Sequence, residues 1–444
     1  MKGMIMKTKQ FMVAVLAVCL AGSVWATGTR SITLTAEADR SILLADQPEH
    51  AYLRIGLTGC RIEDIEKRAT VNVAIVIDKS GSMSSDGKME KAKEAALLAL
   101  DRLGSQDILS IVAYDDEVEV LLPATKLTDK NAVREKIRQL QPGGSTALHA
   151  GVQKGAKEVR KFLAKEKVNR IVLLSDGLAN VGPSSSEELG RVGSGLGEEG
   201  ISVTTIGLGL GYNEDLMSKL AFNSDGGHYF VRCPNELAEI FDKEFSRAMS
   251  VVAQDVRIEI ICGEGMRPVR ILGRQGQIDG RTANLDIQNI YSEHEKYVIL
   301  EIELPAHSQD KVRELANVRV NYYDVRTHTA QKAADVVNVR FSESKADVES
   351  TINKRVMANV VELLAVERNE AAMRLRDEGQ IDQAQQMLRE NSLYLKAGAK
   401  EYDSPSLDGY GTSNASQAEQ LDDKDWNSNR KVMVEEQAAR KSQR

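Results

Sequence analysis

Val76-Ile77-Asp78-Lys79-Ser80-Gly81-Ser82-Met83 continues an apolar run that begins at Val71. An apolar run of this length, ended by a polar turn, reads as a strand covered on both faces. On the turn, Asp78, Ser80 and Ser82 alternate, bringing one carboxylate and two hydroxyls together at the strand end. These are hard oxygen donors, the kind that suit a small divalent cation such as magnesium. Three protein oxygens cannot complete an octahedron, so other groups must supply the remaining positions.

Outward from this turn, residues 70–250 alternate strand and helix. Apolar runs lie at 71–77, 108–113, 171–174 and 201–206, with amphipathic helical patterns at 89–103, 131–140, 146–162 and 185–196 between them. A shorter run at 118–122 follows the acidic turn Asp115-Asp116 and suits an antiparallel edge strand. The pattern predicts a doubly wound α/β domain with a mostly parallel sheet. Ligands of such sheets bind beyond the carboxyl ends of the strands, which is where Asp78 to Ser82 falls. Two further pieces are expected at the same edge. Gly143-Gly144-Ser145-Thr146 precedes a helix and offers a hydroxyl, and Leu173-Leu174-Ser175-Asp176-Gly177 ends the next strand with a carboxylate.

With these pieces the sequence over roughly residues 70–248 resembles the von Willebrand factor A (VWA) domain and its metal-ion-dependent adhesion site (MIDAS). The family pattern Asp-x-Ser-x-Ser, then Thr, then Asp is complete and in order at Asp78, Ser80, Ser82, Thr146 and Asp176. The resemblance implies a magnesium site, with Mn2+ or Ca2+ as the other candidates. Ser80 and Ser82 would be direct ligands, Thr146 a conditional one, and Asp78 and Asp176 carboxylates acting through water. It also implies that a partner protein's Asp or Glu takes the open position.

The flanks read differently. Residues 1–26 have the form of a secretory leader: Lys2, Lys7 and Lys9, an apolar stretch at 11–24, and the small-residue site Val24-Trp25-Ala26. The stretch falls short of the roughly 18 residues that a spanning helix needs. Cys19 offers a lipoprotein box that Val18 fits poorly. Residues 30–66 and 251–342 are strand-like, and the expectation is a β-sandwich in which the α/β domain is inserted or which follows it. Cys60 and Cys262 are the favoured disulfide pair within it, with Cys233 left over. Residues 345–400 predict a helical hairpin, with Val348, Ile352, Val356, Val360 and Leu364 as one apolar stripe. The polar segment 401–444 predicts a partly disordered tail anchored by Trp426.

Composition narrows the function. The net charge is −7, and removing the three leader lysines takes it to −10, which disfavours nucleic acid as a partner. Enzymatic motifs do not hold up. Gly195-Leu196-Gly197-Glu198-Glu199-Gly200 matches a dinucleotide motif in spelling, but a helix precedes it and a strand follows. Ser175-Asp176-Gly177 lacks the Gly-x-Ser-x-Gly elbow. His149 reads as a surface histidine, and Asp115-Asp116-Glu117 as solvated turn acids. The expectation is an exported bacterial protein, periplasmic, surface-bound or secreted. It would be non-enzymatic and without a stable membrane anchor, binding a protein partner through the metal. The alternative is an envelope scaffold or assembly subunit whose site docks a partner or the chain's own acids at Asp422, Asp423 or Asp425.

Overall fold

The computed structural model describes residues 31–62, 68–309, 311–421 and 424–443. The leader at 1–26, Cys19, Asp422 and Asp423 lie outside the described residues. Three strands come first: β1 (Ile32–Ala38), β2 (Ile42–Leu44) and β3 (Glu49–Gly59). The α/β portion follows as β4 (Thr70–Asp78), α1 (Lys88–Arg102), β5 (Ile108–Tyr114), β6 (Val118–Lys126), α2 (Lys130–Arg138), α3 (Leu148–Arg160) and β7 (Lys167–Ser175). It closes with α4 (Ser186–Glu198), β8 (Ile201–Leu208), α5 (Glu214–Asn223), β9 (His228–Val231) and α6 (Leu237–Met249).

These strands form one sheet in the order β6-β5-β4-β7-β8-β9, parallel except for the edge strand β6. Strand β4 shows why. Val71, Val73, Ile75 and Ile77 enter the core on one face, and Ala74 and Val76 enter the core on the other. Side chains alternate across a strand, so burying both sets requires helices on both faces. Because β5 and β7 flank β4 on opposite sides, the chain's direction of winding switches there, and the carboxyl ends of β4 and β7 border the crevice.

The remaining strands are β10 (Val251–Cys262), β11 (Arg267–Leu272), β12 (Gln277–Asp279), β13 (Thr282–Tyr291), β14 (Glu295–Leu304), β15 (Val312–Asp324) and β16 (Thr329–Ser342). They make two sheets, β1-β3-β14-β11 and β12-β13-β10-β15-β16-β2. Both contribute to one apolar core, Leu53, Ile55, Val298 and Leu300 from the first and Ile258, Ile260, Leu285 and Val318 from the second. The N-terminal strands pair with strands beyond residue 251, β3 with β14 and β2 with β16. The α/β portion thus lies between two halves of this β body in the sequence.

Cys60 and Cys262 are free thiols. Cys60 follows Gly59, which bridges to Ser292, and the adjacent Tyr291 is in register with Val251 at the start of β10. Cys262 ends that 12-residue strand, so the two lie about 35 Å apart along it. A disulfide bridges Cα atoms no more than about 7 Å apart. The expected pairing does not form.

The C-terminal helices are α7 (Lys345–Ser350), α8 (Lys354–Asp377), α9 (Ile381–Tyr402), α10 (Pro405–Glu419) and α11 (Trp426–Lys441). Two expectations need correction here. The stripe from Val348 is interrupted, because Asn353 caps a new helix by accepting from the Val356 amide. The tail is helical rather than partly disordered. Its polar residues serve the interior: fully buried Asn369 of α8 donates to the tail's Tyr410 Oη at 2.9 Å and Asn414 Oδ1 at 2.7 Å. Asn391 donates to Asn369 Oδ1 at 2.8 Å, and Tyr410 donates to Gln437 Oε1 at 2.8 Å. Side-chain amides that satisfy one another can be buried, which composition alone reads as solvation. Trp426 does contribute, donating to Asp377 at 3.2 Å, but buried Lys431, Met433, Val434 and Gln437 do more of the anchoring.

Candidate functional site

Strand β4 delivers Asp78 to the sheet edge, fully buried. The chain then tightens into a 3-10 turn at Gly81–Ser84, and Ser80 immediately precedes it. The Asp78 carboxylate organises this turn: its Oδ1 accepts from the Ser80 amide at 2.8 Å, and its Oδ2 accepts from Ser175 Oγ at 2.7 Å. Burial raises the Asp78 carboxyl above the usual carboxylate range, against the opposing hydrogen bonds from Ser80 and Ser175, and neighbouring Asp176 adds to the rise. A site strained in this sense gains from a cation.

The hydroxyls and the second carboxylate form a chain. Ser80 Oγ lies 3.1 Å from Ser82 Oγ, and Ser82 donates to Asp176 Oδ1 at 2.6 Å. Thr146 is brought in by Gly177. A Cβ added at Gly177 would stand 3.0 Å from Thr146 Oγ1 and 3.5 Å from Ser82 Oγ, so the glycine leaves a cradle between these hydroxyls. The Thr146 loop is held from both sides. Its amide donates to Asn180 Oδ1 at 2.9 Å, and the Gly143 amide donates to the Lys79 carbonyl at 2.7 Å. All five residues expected from the sequence, Asp78, Ser80, Ser82, Thr146 and Asp176, therefore meet at one edge.

The spacing fits a small cation. Two neighbouring ligands of an octahedral ion bound at about 2.1 Å stand about 3.0 Å apart, and the Ser80 and Ser82 hydroxyls are 3.1 Å apart. Among the described residues no group of three or more His, Cys, Asp or Glu could hold a metal ion. A site here must draw on hydroxyls, as this one can.

Other residues take roles the sequence did not indicate. Asp115 and Asp116 are not merely solvated. Asp115 pairs with Lys79, its carbonyl accepts from Ala147 at 2.7 Å, and Asp116 Oδ1 accepts from the Ser145 amide at 3.0 Å. They brace the threonine loop. Tyr114 approaches Asp78 Oδ2 at 3.5 Å. Lys88, the first residue of α1, donates to Asp176 Oδ2 at 2.7 Å. Its one sequence signal is that a lysine at a helix N-terminus opposes the helix dipole. His149 lines a separate surface cleft with Val118, Gln153, Lys154 and Lys157.

The loop after β8 closes the far side of the crevice. A Cβ at Gly211 would stand 2.6 Å from the Asp176 carbonyl oxygen, so this close approach requires glycine. The C-terminal helix α11 docks on the same loop. Asn427 donates to the Leu210 carbonyl at 3.4 Å, buried Lys431 donates to the Tyr212 carbonyl at 2.8 Å, and Arg430 pairs with Glu214 and Asp215 at 2.7 and 2.8 Å.

Comparison with known proteins agrees with this geometry. Residues 72–243 match the family model of the von Willebrand factor type A domain. An uncharacterized protein of Synechocystis is 28% identical over 259 residues, which is 56% of this chain and 60% of that one. YfbK of Escherichia coli is 29% identical over 196 residues, 44% of this chain and 34% of its own. The chain thus spans 60% or less of the length of these curated relatives. The structure of a von Willebrand factor type A protein from Catenulispora acidiphila superposes with a TM-score of 0.69 at 18% identity, covering 86% of this chain and 91% of that one. That likeness extends the shared fold beyond the α/β portion, and residues 72–243 form a VWA domain.

Proposed function

We propose that this chain is an exported, non-enzymatic binding protein. Its VWA domain would hold a divalent cation on Asp78, Ser80, Ser82, Thr146 and Asp176, and through it take a carboxylate from a protein partner. The observation that carries this reading is the continuous run of oxygens from Ser80 through Ser82 to Asp176, with Thr146 Oγ1 beside it over Gly177. VWA domains mediate protein–protein interaction and adhesion, and the arrangement of donors agrees with a MIDAS. The cation would supply a Lewis-acidic centre for an incoming Asp or Glu. Magnesium suits the all-oxygen set best, with Mn2+ and Ca2+ as the other candidates.

The protein's own part is positional. Asp78 fixes the Ser80 amide and Ser175, so the turn that presents both serines is preformed. Ser175 Oγ donates to Asp78 and holds that carboxylate in place. The leader at 1–26 supports export to periplasm, surface or medium. The two-sheeted body, which we read as a β-sandwich, presents the domain. Among the described residues no helix is long and apolar enough to cross a membrane.

A second reading has an observation of its own. Helix α11, with Asp425 at its N-cap, reaches the Leu210 carbonyl through Asn427, one residue from the glycine that abuts Asp176. A scaffold or assembly subunit that covers the site with its own tail would use this contact.

Isothermal titration with Mg2+ and capture of partners with and without EDTA test the main reading. Asp78→Asn should weaken cation binding by at least about ten-fold with unchanged circular dichroism. Partner capture that survives chelation would remove the metal from the mechanism. Truncation after residue 420 tests the second reading: tighter partner capture supports a tail that covers the site, and unchanged capture removes it.

A further inference from the structure

Lys88 has no local reason to be where it is. It is the first residue of α1, where a cation opposes the helix dipole. The N-cap Gly87 offers no side-chain hydrogen bond in compensation. Yet the lysine side chain is only 15% exposed, and its ammonium donates to Asp176 Oδ2 at 2.7 Å, against a carboxylate that is fully buried. The other oxygen of Asp176 is taken by Ser82. Asp78 has hydrogen bonds on both oxygens, but among the described residues no salt bridge is formed to it. The nearby Lys79 is committed to Asp115. Of the two buried carboxylates, therefore, only Asp176 is ion-paired among the described residues, and by this one cation.

We infer that Lys88 sets the charge of the candidate cation site, lowering its affinity for the metal and raising the loaded site's affinity for an anionic partner. The inference rests on the metal-binding reading above. With Lys88 the two aspartates carry one net negative charge. A bound dication then leaves one net positive charge facing the partner. Without Lys88 the same carboxylates carry two negative charges, which a dication would just neutralise. At these separations and in a partly buried setting, one unit charge changes cation binding by orders of magnitude rather than by a small factor. The same ammonium supports the metal-free edge, since it pairs with one of two neighbouring buried carboxylates that otherwise repel.

The test is a set of full-chain variants read by Mg2+ titration and by thermal melting in EDTA. Lys88→Met keeps the length of the stem and removes the charge. It should tighten Mg2+ binding by about ten-fold or more, lower the melting temperature in EDTA, and enlarge the rise in melting temperature on adding Mg2+. Lys88→Arg, which keeps the charge, should stay close to the wild type in cation affinity. Lys91→Met makes the same change in net charge at a lysine that, among the described residues, pairs with Glu94, and should leave Mg2+ binding unchanged. Should Lys88→Met not fold in EDTA, Lys88→Gln is read in the same way. Unchanged Mg2+ affinity in the Lys88 variants, with binding lost in Asp78→Asn, overturns the role of Lys88 and leaves the metal-binding reading standing. Absence of Mg2+ binding in the wild type overturns both.

Discussion

Buried charge occurs at both ends of the α/β sheet, and the two ends treat it differently. At one end, in the turn after α5, Asp225 accepts from Arg274 at 3.0 Å, from Lys296 at 2.8 Å and from the Gln288 amide at 2.9 Å. Near the start of β7, Arg170 pairs with Glu244 at 3.0 Å and donates to Tyr291 Oη at 2.9 Å. These clusters join the VWA domain to the β body, and each buried carboxylate in them has at least one cation of the chain's own. At the other end, among the described residues, Asp176 pairs with Lys88 and Asp78 pairs with no cation. A cluster closed by its own chain holds a fold together. One left short of positive charge keeps a place for something that arrives later. Because the β body grips the sheet at the far end, the edge with the five oxygens can change its charge without loosening the attachment.

The comparison breaks most visibly if the closed end proves dispensable. Asp225→Asn keeps the shape and tolerates the left-handed backbone at this position (φ 52°), but leaves Lys296 and Arg274, 3% and 8% exposed, facing a neutral amide. Breaking a buried pair from one side costs about 3–5 kcal/mol, so urea unfolding of the variant should show a loss of that order. Adding Lys296→Met should recover part of it, since the uncompensated cation is then gone as well.

Acid should separate the two ends next. Burial alone would push the Asp225 carboxyl up, but Lys296 and Arg274 outweigh it and bring the group down to about 2. A carboxyl lowered in the folded state adds stability above its unfolded value of about 3.9, and that stability is lost as pH falls through the folded value. The expected loss, roughly 2–3 kcal/mol, falls between about pH 4 and pH 2. The Asp225→Asn variant should lack this component, which acid titration of unfolding at matched ionic strength will show. Asp78 shifts in the opposite direction, so it contributes nothing to that window with the same sign.

What the sequence disclosed follows the same division. The parallel strands are legible because residues such as Val73 and Val76 must be apolar on opposite faces, and the turn residues of the site are legible because their spacing is local. Thr146 and Asp176 could be placed because each follows or precedes a recognisable element at the same sheet edge. Lys88 is barely legible: its unfavourable place at a helix N-terminus is a weak local mark, and its partner lies 88 residues away. The same holds for Asp225 with Lys296, and for the asparagines of α8 to α10, whose partners become neighbours only when the helices pack. Composition assigns Asn414 and Gln437 to a solvated tail because it counts polarity without pairing. Cys60 and Cys262 were matched by shared region, and the length of β10 separates them.

The smallest expected effect concerns Ser80. It is 2% exposed, and a hydroxyl so deeply placed in a structural cluster would be missed when removed. Its Oγ, however, lies 3.1 Å from Ser82 Oγ and helps hold the Asp78 carboxyl down, while its backbone amide, which substitution leaves intact, makes the 2.8 Å bond to Asp78. Ser80→Ala therefore removes the hydroxyl's contact to Ser82 and its weaker support of Asp78, together worth about 1–2 kcal/mol, and keeps the same Cβ. In EDTA the variant should unfold within about 2 kcal/mol of the wild type, yet under the proposed function, in which Ser80 would be a direct ligand, it should bind Mg2+ at least about ten-fold more weakly. A stability loss of the size expected for Asp225→Asn would place Ser80 among the structural groups and erase the distinction between the two ends. Near-unchanged stability with weakened cation binding would confine the hydroxyl's role to the ligand.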